Sequence, residues 1–470
     1  MPYVVTQSCC SDAACVVACP VNAIHPAPGE PGFAEAEMLY VDPVTCVDCG
    51  ACATACPVDA LLPHTKLTDA QLPFVQINAD YYKEHPHADR PPLALVEPPR
   101  ASATTGLRVA VVGAGPAGLY AADELLKLPG VEVDVYDRLP TPHGLARFGV
   151  APDHQKTRQV AQLFAKIERE PGFRYRLGVE VGADVTLEEL RSSYSAVVYA
   201  VGAATDRRLG VPGEELPGSL SATDVVGWYN GHPERTALPV PVDTDRAVVI
   251  GNGNVALDVA RILTADPDRL AGTDIAEHAL HALRQSSIRE VVVIGRRGPA
   301  DAAFTLPELL GLAAIEDLDV VVEGEVAVSS EKARILAELA SRPRTPGARR
   351  IVLRFHTSPV RVVGTDRATG LEVSGPRGEE VIEAGLVLRA IGYRALPVAG
   401  LPFDDDRALV PNDAGRVEPG VYVVGWIKRG ATGFLGTNKS CAKETVGTLL
   451  DDLDAGLLSA VANAPLAAPA

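Results

Sequence analysis

The sequence predicts an α/β chain in which two glycine-rich βαβ units follow a small, cysteine-rich α+β domain. Three observations carry that prediction. An apolar strand runs into a glycine turn in LRVAVVGAGPAG at residues 107–118, and another does so in AVVIGNGNVA at 247–256. Eight of the nine cysteines fall within the first 56 residues. A length of 470 residues is enough for two to four domains with ordinary cores.

Composition narrows the class. Hydrophobic residues make up 47% and charged residues 22%, the profile of a globular chain and not of a disordered one. No apolar run approaches the roughly 18 to 20 residues that span a bilayer, so no membrane partner is expected. The opening MPYVVTQSCC lacks the basic start and long apolar stretch of a secretory signal. The chain is therefore expected in the cytoplasm, where thiols stay reduced and clustered cysteines bind metal. A net charge of -17 excludes nucleic acid as a partner. A monomer is expected.

The cysteine-rich domain is assigned to residues 1–85, followed by a proline-rich linker at 86–105. The first segment carries ten Asp or Glu against two Lys, a large share of the chain's negative charge. Within it, CVDCGACATACP places Cys46, Cys49, Cys52 and Cys56 at C-x2-C-x2-C-x3-C-P. Structural zinc sites usually pair two C-x2-C knuckles across a longer loop. The observed spacing is instead that of iron–sulfur proteins in which the fourth thiolate ligates the other cluster. The earlier run CCSDAACVVACP has Cys9, Cys15, Cys19 and Pro20 in the same frame, with Asp12 where the second cysteine belongs. Swapped ligation then groups Cys19, Cys46, Cys49 and Cys52 around one cluster. Cys9, Cys15 and Cys56, with Asp12 beside them, form the other set. Cys10 is out of frame and is read as a packing thiol.

Over residues 1–80 the segment resembles the two-cluster bacterial ferredoxins. That resemblance implies a [4Fe-4S] cluster at the all-cysteine set. At the other it implies a [3Fe-4S] cluster, or a [4Fe-4S] cluster whose odd iron takes carboxylate or water. Asp12 would stand at that labile corner.

The first βαβ unit is Rossmann-like. Gly113, Gly115 and Gly118 permit a tight turn and close approach of a pyrophosphate to the following helix. A second strand, VEVDVYD, ends in Asp137, an acid placed to bind an adenosine ribose. The second unit has Gly251, Gly253 and Ala256 in the turn. Its matching strand, in REVVVIGRRGP at 289–299, ends in Arg296 and Arg297 where an acid would select NAD. Two guanidiniums there suit the 2′-phosphate of NADP.

Two dinucleotide units in one chain suggest a flavin paired with a nicotinamide. The chain resembles the adrenodoxin-reductase type of ferredoxin–NADP reductase over most of residues 107–455. The resemblance rests on GAGPAGLYAADELL, HGLARFGVAPDH, GNGNVALDVARIL, GRRGP, AFTLPEL and GWIKRGATGF. It implies an FAD-binding domain at 106–204 and 391–470 and an NADP-binding domain at 205–390. FAD would be contacted by the first glycine turn with Ala117, by Asp137, Leu145 and Val181, and by a covering segment of Trp426, Gly433, Phe434 and Leu435. NADPH would be contacted by Gly251, Asn252, Gly253, Asn254, Val255, Arg296, Arg297, Glu308 and the shared Gly433. Asp137 replaces a glutamate common in such reductases, a shorter side chain that should still reach the ribose. The whole chain looks like the mycobacterial-type fusion of ferredoxin and reductase.

The implied activity is hydride transfer from NADPH to FAD, followed by single-electron transfer to the clusters of the fused domain or to a separate ferredoxin. Acceptors downstream would be redox proteins such as cytochrome P450 enzymes. His154 would either handle a proton near the flavin or serve a structural role. A disulfide reductase is excluded because no cysteine lies between Cys56 and Cys441. An electron-relay subunit similar to the glutamate-synthase small subunit is the alternative.

Overall fold

The structure, a computed structural model, describes residues 2–86 and 106–458. The proline-rich linker expected at 86–105 lies, apart from Pro86, outside the described residues. Two compact units emerge. One contains residues 1–147, 156–205 and 393–470, and the other residues 148–155 and 206–392.

The N-terminal part of the first unit is built twice, with an offset of 37 residues. Short helices Ala14–Ala18 and Ala51–Ala55 each follow a left-handed residue, Ala13 (φ 59°) and Gly50 (φ 76°), and each ends at a cysteine, Cys19 or Cys56. Left-handed residues recur at the same offset in Ser11 and Asp48, and in Asn22 and Asp59. Short polar side chains and glycine tolerate that conformation best, which is why a cysteine-rich loop can wind so tightly here. Strand Tyr3–Val5 pairs antiparallel with Leu61–Pro63, and Ile24–His25 with Tyr40–Val41. Helix Pro73–Glu84 ties the pairs together through Asn78, whose side-chain oxygen accepts from the amides of Val5 (3.1 Å) and Val41 (2.9 Å).

The same unit holds a six-stranded sheet. Its order is Arg416–Glu418, Val421–Val423, Ala196–Tyr199, Arg108–Val112, Glu132–Asp137 and Phe173–Leu177, parallel except for the first pair. The central strands are runs of Val and Ala because helices or loops cover both faces of a parallel sheet. A buried ion pair, Arg108 with Asp134, interrupts them. Asp134 accepts from Arg108 (3.2 Å), Arg174 (2.7 Å) and Tyr194 (2.7 Å). Burial pushes its carboxyl up, but the bonds from Arg174 and Tyr194 and the surrounding guanidiniums outweigh burial and leave it below the usual range. Helix Thr437–Asp454 packs along helix Pro116–Leu126 against this sheet.

The second unit is an all-parallel sheet ordered Ser219–Ser221, Leu386–Arg389, Arg246–Ile250, Glu290–Ile294, Arg349–Arg354 and Leu318–Glu323. A three-stranded antiparallel sheet, Ser358–Gly364, Ala368–Gly375 and Gly378–Glu383, adjoins it. Among the described residues no helix is long and apolar enough to cross a membrane.

Candidate cofactor and cluster sites

The first glycine turn is shaped by backbone contact. Gly113 adopts φ +114°, and a Cβ there would stand 2.5 Å from the Ala200 carbonyl. A Cβ at Gly118 would meet the Gly113 carbonyl at 2.0 Å, so only glycine lets the helix start this close to the strand. Gly115 differs, since a Cβ there would meet nothing within 4 Å. It caps helix Pro116–Leu126 without a side-chain partner, leaving the amides and positive dipole end to a ligand anion. Neighbouring residues converge on this turn. Asp137 accepts from the Ala114 amide (2.8 Å) and the Leu139 amide (2.9 Å), which pins the carboxylate beside the turn. The His143 amide donates to Ala114 (2.8 Å), setting the short helix Leu145–Phe148 next to it. Gly425, at φ +76°, lies so close that a Cβ would stand 2.6 Å from that of Ala117, and so brings Trp426 to the turn. Val181 follows Val179, whose amide donates to Asp137 (3.0 Å). Gly433 (φ +81°) leads Phe434 and Leu435 into the long C-terminal helix, with the Phe434 amide held by Thr437 (2.9 Å).

The second turn repeats the arrangement. A Cβ on Gly251 would stand 2.3 Å from the Ala390 carbonyl, whereas one on Gly253 would meet nothing within 4 Å. Gly253 caps helix Asn254–Thr264, which begins with Asn254 and Val255 and again lacks a side-chain cap. The Gly251 amide donates to Ile294 (2.9 Å), and Gly295 packs on Asn252. Arg296 and Arg297 therefore leave the neighbouring strand at the turn, and both are exposed. Neither guanidinium has an ion-pair or hydrogen-bond partner among the described residues. Glu308 stands in the first turn of helix Leu306–Ala313, whose cap Thr305 donates its amide to Asn254 of this turn (2.8 Å), and it joins a charged network. Arg261 donates to His154 Nε2 (2.8 Å) and pairs with Asp153, Asp258 and Glu308. Burial, reinforced by Glu308, pushes the Asp258 carboxyl well above its usual value. The guanidinium fills the space among the acids, so the group reads as a structural ion-pair network and not a cation site.

The cysteines sort into the two expected sets. Cys19, Cys46, Cys49 and Cys52 line one small cavity. Burial, with the Cys46 charge next, pushes the Cys52 thiol up to about 12. Cys9, Cys15, Cys56 and Asp12 influence one another instead. Burial, together with Cys56 and Asp12, holds Cys9 up at about 11, and burial then Cys9 and Asp12 hold Cys15 well above its usual value. Buried thiols crowded with acids stay protonated unless a cation is supplied, and cluster iron supplies it. Backbone amides already point at the sulfurs, Ala23 to Cys19 (3.2 Å) and Ala60 to Cys56 (3.3 Å), as hydrogen bonds that tune a cluster do. Both sets fit iron–sulfur clusters. Cys10 is buried in the apolar core.

Sequence reasoning missed three residues. Gly436 donates its amide to the Cys10 carbonyl (2.8 Å), Lys439 Nζ lies 3.6 Å from Asp12 Oδ2, and Gly425 seats the covering segment. For Gly436 the only signal was a glycine repeated in GATGFLGTNK, which does not name its partner.

Comparison with known proteins agrees with this geometry. Residues 107–299 match the family described as Pyridine nucleotide-disulphide oxidoreductase, and residues 8–60 match the 4Fe-4S dicluster domain. The chain is 51% identical to the Probable ferredoxin/ferredoxin--NADP reductase of Mycobacterium leprae, covering 100% of this chain and 89% of that protein. It is 42% identical to the mitochondrial NADPH:adrenodoxin oxidoreductase of Arabidopsis thaliana, over 75% of this chain and 83% of that one. Among solved structures, FprA of Mycobacterium tuberculosis in complex with NADPH superimposes with a TM-score of 0.72 at 44% identity, over 75% of this chain and 87% of FprA.

Proposed function

The chain belongs to the ferredoxin/ferredoxin–NADP reductase family, and we propose the residues by which it does that work. It is an NADPH-dependent flavoprotein oxidoreductase with its own iron–sulfur domain. NADPH and FAD, held by the residues below, would supply hydride chemistry, and clusters held by the cysteine sets would supply one-electron chemistry. Gly113 to Gly118 cradle the FAD pyrophosphate, Asp137 holds its ribose, and Leu145, Val181 and the segment from Trp426 to Leu435 surround it. Gly251 to Val255 cradle the NADP pyrophosphate, and Arg296 and Arg297 bind its 2′-phosphate. Glu308, whose helix is capped beside Asn254, is a further NADP contact, and Arg261 ties it to His154 and to helix Asn254–Thr264. Residues 1–85, 106–204 with 391–470, and 205–390 serve as the ferredoxin, FAD and NADP domains.

The acceptor is a separate redox protein of the ferredoxin or cytochrome P450 kind, reached by a monomer in the cytoplasm. One observation carries the reading: two glycine turns, each with an open glycine at a helix start, share a chain with one four-cysteine set and one three-cysteine set completed by Asp12. Iron and acid-labile sulfide analysis of the purified protein, followed by anaerobic NADPH with visible and EPR spectra, tests it. Flavin and clusters should both be reduced. Flavin bleaching that leaves both clusters oxidised would remove the fused domain from the path.

A further inference from the structure

Two cluster sites in one domain leave open which of them faces the flavin. The four-cysteine cavity is lined only by residues of the N-terminal domain, among them Tyr3, Pro20, Val41 and Val47 beside the cysteines. Cys49 is exposed at it, and Val44 and Val47 nearby are 91% and 60% exposed. The three-cysteine site lies the other way. Its Cys10–Asp12 loop sits on the backbone of Gly436, where a Cβ would stand 2.2 Å from the Asp12 amide nitrogen and from the Ser11 carbonyl carbon. The Gly436 amide donates to Cys10, and Lys439 in the next helical turn reaches Asp12. Cys10, Val58 and Ala60 belong to the same apolar core as Tyr120, Cys441 and Ala442, with Cys9, Cys56 and Leu435 packed against it.

We propose that the three-cysteine site is the inner of the two, walled by the reductase's own Gly436 and Lys439, and that the four-cysteine site is the outlet. The inference rests on the assignment of Gly433 to Leu435 to FAD, because Gly436 continues that segment directly. A single stretch of seven residues, 433 to 439, thereby contacts both the flavin site and the first cluster site. Backbone contact without intervening side chains keeps the two close, which explains a glycine at 436. Lys439 adds a fixed positive charge beside Asp12 and to no other ligand residue among those described. The domain that carries the outlet has ten Asp or Glu against two Lys in residues 1–85, so its partner is a redox protein with a basic face and an apolar centre that meets the exposed Val44 and Val47.

The test uses the full-length holoprotein. Lys439→Gln removes the positive charge beside one site only. In an EPR-monitored redox titration the three-cysteine signal should move to more negative potential while the four-cysteine signal stays in place. A shift of the four-cysteine signal, or of neither, overturns the proposal. Gly436→Val should push the Cys10–Asp12 loop off its seat. Stopped-flow reduction of both clusters by NADPH should then slow by about tenfold or more, the scale expected when contacting groups shift by an ångström. Rates are compared per loaded cluster, from iron content, and cluster reduction at the wild-type rate in the loaded variant overturns the order. Val44→Asp, outside the cavity lining, should leave NADPH-driven cluster reduction unchanged and weaken delivery to cytochrome c, whereas slowed cluster reduction there would place the inner site on that side. A failure of the FAD assignment itself would look different, because FAD content would survive substitution of Gly433 by a bulky residue.

Discussion

Replacing Arg296 and Arg297 with glutamine tests nucleotide selection directly. Both side chains leave the strand end at the Gly251–Gly253 turn, both are exposed, and neither has a protein partner among the described residues. Their removal therefore breaks no internal bond and should cost no folding stability. A charge-assisted hydrogen bond to phosphate contributes about 1.5 to 3 kcal/mol when shielded. Exposure and salt screening bring each arginine toward the lower end or below, about 0.7 to 1.4 kcal/mol. The pair then contributes about 1.4 to 2.8 kcal/mol, equivalent to about tenfold to a hundredfold in affinity. The assay is ferricyanide reduction with NADPH and with NADH, at low and high ionic strength. KM for NADPH should rise by that factor, most visibly at low salt, while KM for NADH barely moves. Equal losses for both nucleotides would refute a contact with the 2′-phosphate.

Three further outcomes follow from contacts already described. Gly118→Ala drives a methyl to 2.0 Å from the Gly113 carbonyl, so the purified protein should lose most of its flavin absorbance and melt at lower temperature. Asp134→Asn should cost about 3 to 5 kcal/mol, the usual penalty for opening a buried charge network. Because the folded carboxyl is held below its usual value, the wild-type advantage is complete above the unfolded carboxylate pKa of about 3.9 and fades as pH falls through the folded value. Thermal melts of the two proteins should thus converge toward acid, and a gap that stays constant down to strongly acidic pH would contradict this. Asp12→Cys supplies sulfur where oxygen binds cluster iron less firmly. An air-oxidised three-iron EPR signal in the wild type should disappear, with a gain of one iron per chain, unless the wild type already keeps its full iron complement after oxidation.

The proline-rich linker offers a cut that leaves a reductase starting near Ala101. Yet Cys10, Val58 and Ala60 share an apolar core with Tyr120 and Cys441. Such a truncation is expected to keep FAD and NADPH–ferricyanide activity but to expose apolar surface and lose stability, measurable as a lower melting temperature.

What was legible in the chain was local. Cysteine spacing, a glycine turn between strand and helix, and the residues ending the next strand each act over a few tens of residues, and each obeys a rule of backbone geometry. Gly113, Gly118 and Gly251 are dictated by close approach, and Arg296 and Arg297 by their place at a strand end. Tertiary structure alone decided how distant stretches meet. Nothing near Asp12 announces Lys439, more than four hundred residues away, and nothing in GATGFLG says that Gly436 seats a cysteine loop. Arg261 gathering His154, Asp258 and Glu308 was equally hidden. Such pairings depend on which surfaces bury each other once the sheets are formed, and burial is a property of the packed chain that no short stretch of residues contains.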